Sequence, residues 1–269
     1  MTKPISLGFV GSGDITQAIV TGLFAQTERR YEVWLSPRNA HVSKELAERY
    51  TDVHVAQDNQ HVVKQAEIIF LAVRPQIASD VLGTLSFRPD QCAVSLIAGY
   101  GTQKVRESLR DAPERIVRAL PLLMVARAAS RTVLYPVETR VRDIFDSIGG
   151  SLSVDSEDQY DAMLALSASM GLFFATAHAQ GRWAVERGVD YAVARAYLMS
   201  LYKGLAETAL LDDTPLDQLS RHYSTTGGIN EQVVCLMTQA GTFENIDSTF
   251  DSIEKRLRRY VSPIGNRSQ

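Results

Sequence analysis

The feature that most narrows the fold lies at the start of the chain. There the apolar run Ile5-Ser6-Leu7-Gly8-Phe9-Val10 passes directly into Gly11-Ser12-Gly13-Asp14-Ile15-Thr16 and then into a helix-patterned segment ending near Phe24. Strand, glycine turn and helix in that order make the phosphate-binding start of a βαβ unit. Gly11 permits the tight turn, Gly13 lets the backbone approach a pyrophosphate without a Cβ, and the N–H groups that open the helix face the negative charge. The third fingerprint position, usually Gly or Ala so that helix and strand pack closely, is Thr16.

Such a unit needs a sheet around it, and the next hundred residues supply the pattern. Residues 31–35, 52–55, 67–73, 91–97 and 115–120 read as strands, and residues 42–50 and 59–65 as helices. The run 67–73 is nearly all apolar and closes at Pro75; 91–97 closes at Ala98-Gly99-Tyr100-Gly101 and 115–120 at Pro121. Continuous apolar strands alternating with helices predict an α/β fold with a doubly wound parallel sheet. A strand at 131–135, a helix at 138–148 and a strand at 151–154 complete this half.

From Ser156 onward the pattern is helical. Residues 160–185 read as one long helix buried on most faces, interrupted near Gly171, and further helices are expected at 192–211, 229–240 and 251–260. The predicted boundary therefore divides a dinucleotide-binding domain, 1–156, from an all-helical domain, 157–269. So many apolar residues with so little sheet to pack on predict burial against a second copy.

With 45% hydrophobic and 22% charged residues and a net charge of −3 over 269 residues, the chain has a globular composition and no basis for a nucleic-acid surface. No run of about 18 uninterrupted apolar residues occurs and no charged leader precedes an apolar stretch, so neither a membrane association nor export is expected, and the predicted location is cytoplasmic. Cys92 and Cys235 have neither metal-ligand nor disulfide spacing; two buried, reduced thiols and no metal site are expected.

Cofactor choice is read where the second strand ends. Leu35-Ser36-Pro37-Arg38-Asn39 offers no carboxylate for ribose hydroxyls, whereas Ser36 and Arg38 can hydrogen-bond and neutralise a 2′-phosphate. This points to NADP, with NAD as the alternative.

Several segments together resemble the pyrroline-5-carboxylate reductase family. Gly8-Phe9-Val10-Gly11-Ser12-Gly13 is similar to its Gly-Phe-Ile-Gly-x-Gly, and Leu71-Ala72-Val73-Arg74-Pro75-Gln76 to its Leu-Ala-Val-Lys-Pro-Gln. Ser95-Leu96-Ile97-Ala98-Gly99 resembles Ser-Ile-x-Ala-Gly, and Arg118-Ala119-Leu120-Pro121 resembles Arg-x-Met-Pro. In the second half, residues 161–169 follow Asp-Ala-x-Thr-Ala-Leu-Ser-Gly-Ser, and Thr225-Thr226-Gly227-Gly228 stands where the family has Ser-Pro-Gly-Gly.

The resemblance implies a Rossmann-type domain, a C-terminal helical dimerisation domain whose helices interlock between subunits, and reduction of a small cyclic imine by NAD(P)H. It places Ser12, Asp14 and Ile15 beside the pyrophosphate, Ser36 and Arg38 beside the adenosine ribose, and Asn59 near the adenine. Ala72, Val73 and Pro75 would border the nicotinamide, with Arg74 between them and Ala98 and Gly99 nearby. Imine reduction asks the protein only to align two reactants and to supply or retain one proton. Asn230, at a family threonine position, and Ser167 and Ser169, at a helix entrance, are the candidate orienting groups. Thr225, Thr226, Gly227 and Gly228 are expected to hold a substrate carboxylate through free N–H groups and hydroxyls. His222, Tyr223 and His178 are minor proton-handling candidates.

The chain also departs from the family pattern. Asp14 replaces an asparagine and either caps the first helix or repels a phosphate. Leu122 replaces the asparagine after Met-Pro, Met170-Gly171 replace Gly-Pro, and Ile229-Asn230 replace Thr-Thr. A more apolar pocket and weak turnover of pyrroline-5-carboxylate are the expectation, in favour of a related carboxylated imine. The alternative is a degenerate family member that binds nucleotide or a protein partner without turnover. A hydroxy-acid dehydrogenase is not supported, because no catalytic lysine motif of that kind occurs in the second half.

Overall fold

The computed structural model describes residues 4–26 and 31–261. Its first half is an eight-stranded sheet with the order β3-β2-β1-β4-β5-β6-β7-β8. The strands are β1 (Ile5–Val10), β2 (Tyr31–Leu35), β3 (Val53–Val55), β4 (Ile68–Leu71), β5 (Cys92–Ser95), β6 (Arg115–Leu120), β7 (Thr132–Tyr135) and β8 (Ser151–Ser153). Between them run α1 (Asp14–Phe24), α2 (Ala40–Arg49), α3 (Asn59–Gln65), α4 (Pro75–Leu82), α5 (Thr102–Ser108) and α6 (Thr139–Asp146).

The apolar strands are continuous in sequence because both faces of the sheet are covered. On one face Leu7, Phe9, Val33, Phe70, Val94 and Val117 form a core with Ile19 and Leu23 of α1 and Ile144 and Phe145 of α6. Phe70 is its centre, stacked on Phe9 at 4.6 Å between ring centroids and met edge-on by Phe145 at 6.1 Å. On the other face Ile69, Leu71, Ala93 and Ile116 pack with Val62, Ala78, Leu82 and Val105 from α3, α4 and α5.

The expectation of a wholly parallel sheet is corrected at one seam, since β7 pairs antiparallel with β6. The connection over residues 121–131 contains only a short 3-10 turn, Leu123–Arg127, too little chain for a crossover helix that would return to the start of a parallel neighbour. α4 and α5 were absent from the sequence pattern because Pro75 and Gly101, which open them, read there only as strand ends; α3, equally short, was legible.

Contacts divide the described residues into two compact units, one that runs to residue 164 and resumes at 254, and one of residues 165–253. α7 (Glu157–Leu166) thus lies with the sheet, although the helical pattern begins at its first residue. Three polar contacts attach it. The Glu157 carboxylate accepts the Thr102 N–H at 2.6 Å, the Arg118 guanidinium donates to Asp161 at 2.7 Å, and the same guanidinium lies 4.0 Å from the centre of the Tyr160 ring. Arg118 is only 2% exposed, so Asp161 supplies the counter-charge that a buried cation requires.

The second unit holds α8 (Ser169–Val185), α9 (Tyr191–Leu211), α10 (Leu216–Tyr223), α11 (Ile229–Gln239) and much of α12 (Thr242–Val261). α10 was missed, and α12 begins nine residues before the expected 251. The break in the long helix falls at Ser167-Ala168, not near Gly171. The expectation of burial on most faces fails within one chain. In the second unit the buried apolar residues among those described are Ala165, Ala177 and Ala194, whereas Phe174, Trp183, Tyr197, Leu211 and Ile229 are exposed. Without a sheet beneath them these helices enclose only small side chains, and even Phe173, which meets Tyr202 with 5.1 Å between ring centroids, stays exposed. By length and mean hydropathy, 1.4 over its best window, the stretch Glu157–Val185 would suffice to cross a membrane. Cys235 on α11 is likewise exposed, so only Cys92 matches the expected pair of buried thiols.

Candidate functional site

Because β2 and β3 lie on one side of β1 and β4 on the other, the loops after β1 and β4 diverge and leave a crevice at the carboxyl ends of the strands. A cavity of about 660 Å³ occupies it, lined by Gly11, Ser12, Gly13, Arg38, Asn39, Ala72, Val73, Arg74, Gln76 and Ile77. Seven of the residues chosen from sequence are among them: Gly11, Ser12, Gly13, Arg38, Ala72, Val73 and Arg74.

Gly11 is required twice over. Its φ of +108° disfavours any side chain, and a Cβ there would stand 2.3 Å from the Ala72 carbonyl oxygen across the crevice. Gly13, the N-cap of α1, would place a Cβ in open space, and no side chain caps the N–H groups that follow it. Those N–H groups, at the positive end of the helix dipole, are suited to an anion. Thr16 is compatible with close packing because it is fully buried and its hydroxyl donates to the Gly11 carbonyl at 2.7 Å. Asp14 is the first helical residue and not the cap; it is exposed and stands outside the cavity lining. Arg38 and Arg74 are both exposed and their side chains make no hydrogen bond or ion pair among the described residues, so two free cations flank the glycine loop. Pyrophosphate, ribose and an additional phosphate fit this donor set.

Other chosen residues lie elsewhere. Ser36 is 1% exposed and sits beneath the glycine loop, where its hydroxyl accepts the Gly11 N–H at 3.0 Å. Ile15 packs against the core. Asn59 opens α3, whose N-cap Asp58 accepts the His61 N–H, and Pro75 opens α4. Ala98 is exposed after β5, and Gly99 is buried with a φ of +71°. None of these lines the cavity. Sequence reasoning passed over Asn39, Gln76 and Ile77. Asn39 had a signal, as a short amide on the loop before a helix; Gln76 and Ile77 followed from Pro75, a good first residue for the unseen α4.

The second unit places its own candidates at two helix junctions. Ser167 lies in the turn between α7 and α8, and Ser169 opens α8. Thr225, Thr226, Gly227 and Gly228 form the turn from α10 to α11, but the N–H groups of the two glycines are not free as expected. Gly227 donates to the Glu231 carboxylate at 2.7 Å and Gly228 to the Thr225 carbonyl at 2.8 Å. Asn230 directs its side-chain N–H to the Tyr223 carbonyl at 2.8 Å. The capping Glu231, four residues after Gly227, was overlooked, although a carboxylate in a first turn is an ordinary signal. His222 is exposed on α10, and His178 is exposed on α8 beside Arg195 and Tyr191 in a 270 Å³ pocket.

Comparison with known proteins gives two family matches. Residues 6–99 match a family described as NADP oxidoreductase coenzyme F420-dependent, and residues 157–260 match pyrroline-5-carboxylate reductase dimerisation. Pyrroline-5-carboxylate reductase from Synechocystis is 25% identical over 246 residues, covering 88% of this chain and 91% of that protein. Among solved structures, the 1-pyrroline-5-carboxylate reductase of Streptococcus pyogenes superposes with a TM-score of 0.82 at 22% identity, covering 96% of this chain and all of that one. The Plasmodium falciparum pyrroline carboxylate reductase, solved with NADP bound, gives a TM-score of 0.82 at 19% identity, covering 97% and 100%.

Proposed function

We propose that the chain is a divergent member of the pyrroline-5-carboxylate reductase family and that it reduces pyrroline-5-carboxylate, or a closely related carboxylated cyclic imine, to the corresponding amine with NADPH. The observation that carries the reading is the crevice between β1 and β4, where an uncapped helix start, an unobstructed Gly13 and two unpartnered arginines converge. Bound there, NADPH supplies hydride to the imine carbon. Ser12 and Gly13 would receive the pyrophosphate through backbone N–H groups at the turn that Gly11 makes possible, and Arg38 the 2′-phosphate. Ala72 and Val73 would line the route toward the nicotinamide, with Arg74 beside it. Ser167, Ser169 and Asn230 remain the groups we assign to orienting the imine, and residues 225–228 to its carboxylate, with the hydroxyls of Thr225 and Thr226 as the available donors.

We further propose that the active form is at least a homodimer and that the cytoplasm is its compartment. The exposed apolar residues of α8, α9 and α11 fit a helical interface with a second copy, and the match of 157–260 to a dimerisation family supports that use over a membrane span.

The test is a pair of measurements on one preparation: NADPH binding by fluorescence, and NADPH oxidation with pyrroline-5-carboxylate. Binding together with turnover is the expected result. One observation favours the second reading, a nucleotide-binding protein without turnover: the N–H groups of Gly227 and Gly228 are already engaged, one by a carboxylate. Binding with no oxidation on pyrroline-5-carboxylate or a bulkier carboxylated imine would select it.

A further inference from the structure

Two serine hydroxyls at the glycine loop, that of Ser12 and that of Ser36 beneath it, are committed to the protein itself. Gly11 N–H donates to Ser36 Oγ at 3.0 Å, Ser12 Oγ donates to the Ser36 carbonyl at 2.8 Å, and the two hydroxyl oxygens lie 3.2 Å apart. A hydroxyl has one proton, and that of Ser12 goes to the carbonyl, so the proton between the hydroxyls belongs to Ser36. The hydrogen bonds therefore run in one direction, from Gly11 N–H to Ser36 Oγ, from Ser36 O–H to Ser12 Oγ, and from Ser12 O–H to the Ser36 carbonyl. Ser36 is 1% and Ser12 4% exposed. Two further bonds extend the network: the Asn39 side-chain N–H reaches the Ser12 carbonyl at 2.9 Å, and Ser36 N–H reaches the Phe9 carbonyl at 3.0 Å.

Resting on the reading of the crevice as the NADPH site, we propose that Ser36 is a positioning residue: its hydroxyl holds the glycine loop in the shape that presents the start of α1 to the pyrophosphate. Recognition of the 2′-phosphate is thereby left to Arg38. The physical need is plain, since a Gly-Ser-Gly segment left to itself visits many conformations and each binding event would have to order it again. The directional network removes that cost in advance. It also leaves neither serine proton to donate to a ribose or a phosphate, whereas Arg38 is exposed, unpartnered and on the cavity wall. Ser36 thus acts on the part of the ligand that NADPH and NADH share, and Arg38 on the part that only NADPH carries.

The experiment titrates the wild-type protein and the Ser36→Ala, Asn39→Ala and Arg38→Ala variants with NADPH and with NADH by fluorescence, without substrate, and follows hydrogen exchange at the Gly11 amide. Ser36→Ala is expected to weaken both nucleotides about tenfold, with the NADPH to NADH preference kept and Gly11 exchange accelerated. Asn39→Ala should show a smaller loss of the same kind, and Arg38→Ala a loss for NADPH alone. A Ser36→Ala protein that loses affinity for NADPH only would reveal a direct phosphate contact and overturn the proposal, as would one that binds both nucleotides like the wild type. Should Ser36→Ala fail to fold, Asn39→Ala decides, and unchanged affinity for both nucleotides in it counts against the network. Wild-type protein that binds neither nucleotide overturns the reading of the crevice, and the positioning role with it.

Discussion

The sheet unit and the helical unit use similar side chains to opposite ends. In the first, Phe9, Phe70 and Phe145 are fully buried against one another, and the large apolar residues that stay exposed there are few, among them Val55 and Leu123. In the second, alanines are buried while Leu210, Leu211 and Leu216 are 76%, 90% and 74% exposed. A sheet covered on both faces encloses apolar residues within one chain, whereas five helices without a sheet leave theirs to be covered from outside. The first unit therefore buries its own large apolar residues, and the second leaves its own exposed.

The largest effects should test whether the sheet unit really is closed on itself. Phe70→Ala removes the ring between Phe9 and Phe145 and is expected to cost about 3–5 kcal/mol in chemical denaturation. That loss should not change with protein concentration; one that did would make the sheet core depend on assembly and break the comparison. Asp161→Ala probes the attachment of α7 within the sheet unit. Leaving Arg118 buried without its counter-charge should also cost about 3–5 kcal/mol, while Asp161→Asn, which keeps a hydrogen-bond acceptor, should cost less. A change within about 0.5 kcal/mol, the usual range for a surface site, would show that α7 is not held to the sheet by this pair.

In the helical unit the same logic predicts concentration dependence. Phe174→Glu, on an exposed α8 face, should weaken self-association by about 2 kcal/mol or more, read by light scattering over a dilution series. If the wild type is monomeric, the variant will instead be as stable as its parent, and the two units will no longer differ in kind. At the nucleotide crevice, Arg38→Ala should cost about 1.5–3 kcal/mol in NADPH binding and leave NADH binding as it was, measured by fluorescence titration. The smallest readout is a thiol count. Burial in the sheet pushes the Cys92 thiol up to about 12, so it should stay protonated and unreactive in the native protein. No more than one thiol per chain should react with a maleimide before denaturant is added, and two afterwards.

The sequence by itself determined the strand, glycine turn and helix at residues 5–24, the alternation that follows, and the change to helices after Ser156. These are local periodicities, and an apolar run or a 3.6-residue repeat is visible wherever it is longer than about two turns. It also determined which loops meet at the crevice, because parallel strands joined by helices bring their carboxyl ends to one edge. Tertiary structure alone decided the antiparallel seam at β7, the attachment of α7 through Arg118 and Asp161, and the direction in which Ser36 points. Each of these depends on which partner a polar group finds across a distance in the chain. A serine at a strand end has the same signature whether it meets a ribose or the N–H of Gly11, and only the folded loop settles which, by bringing that N–H to 3.0 Å from a buried hydroxyl.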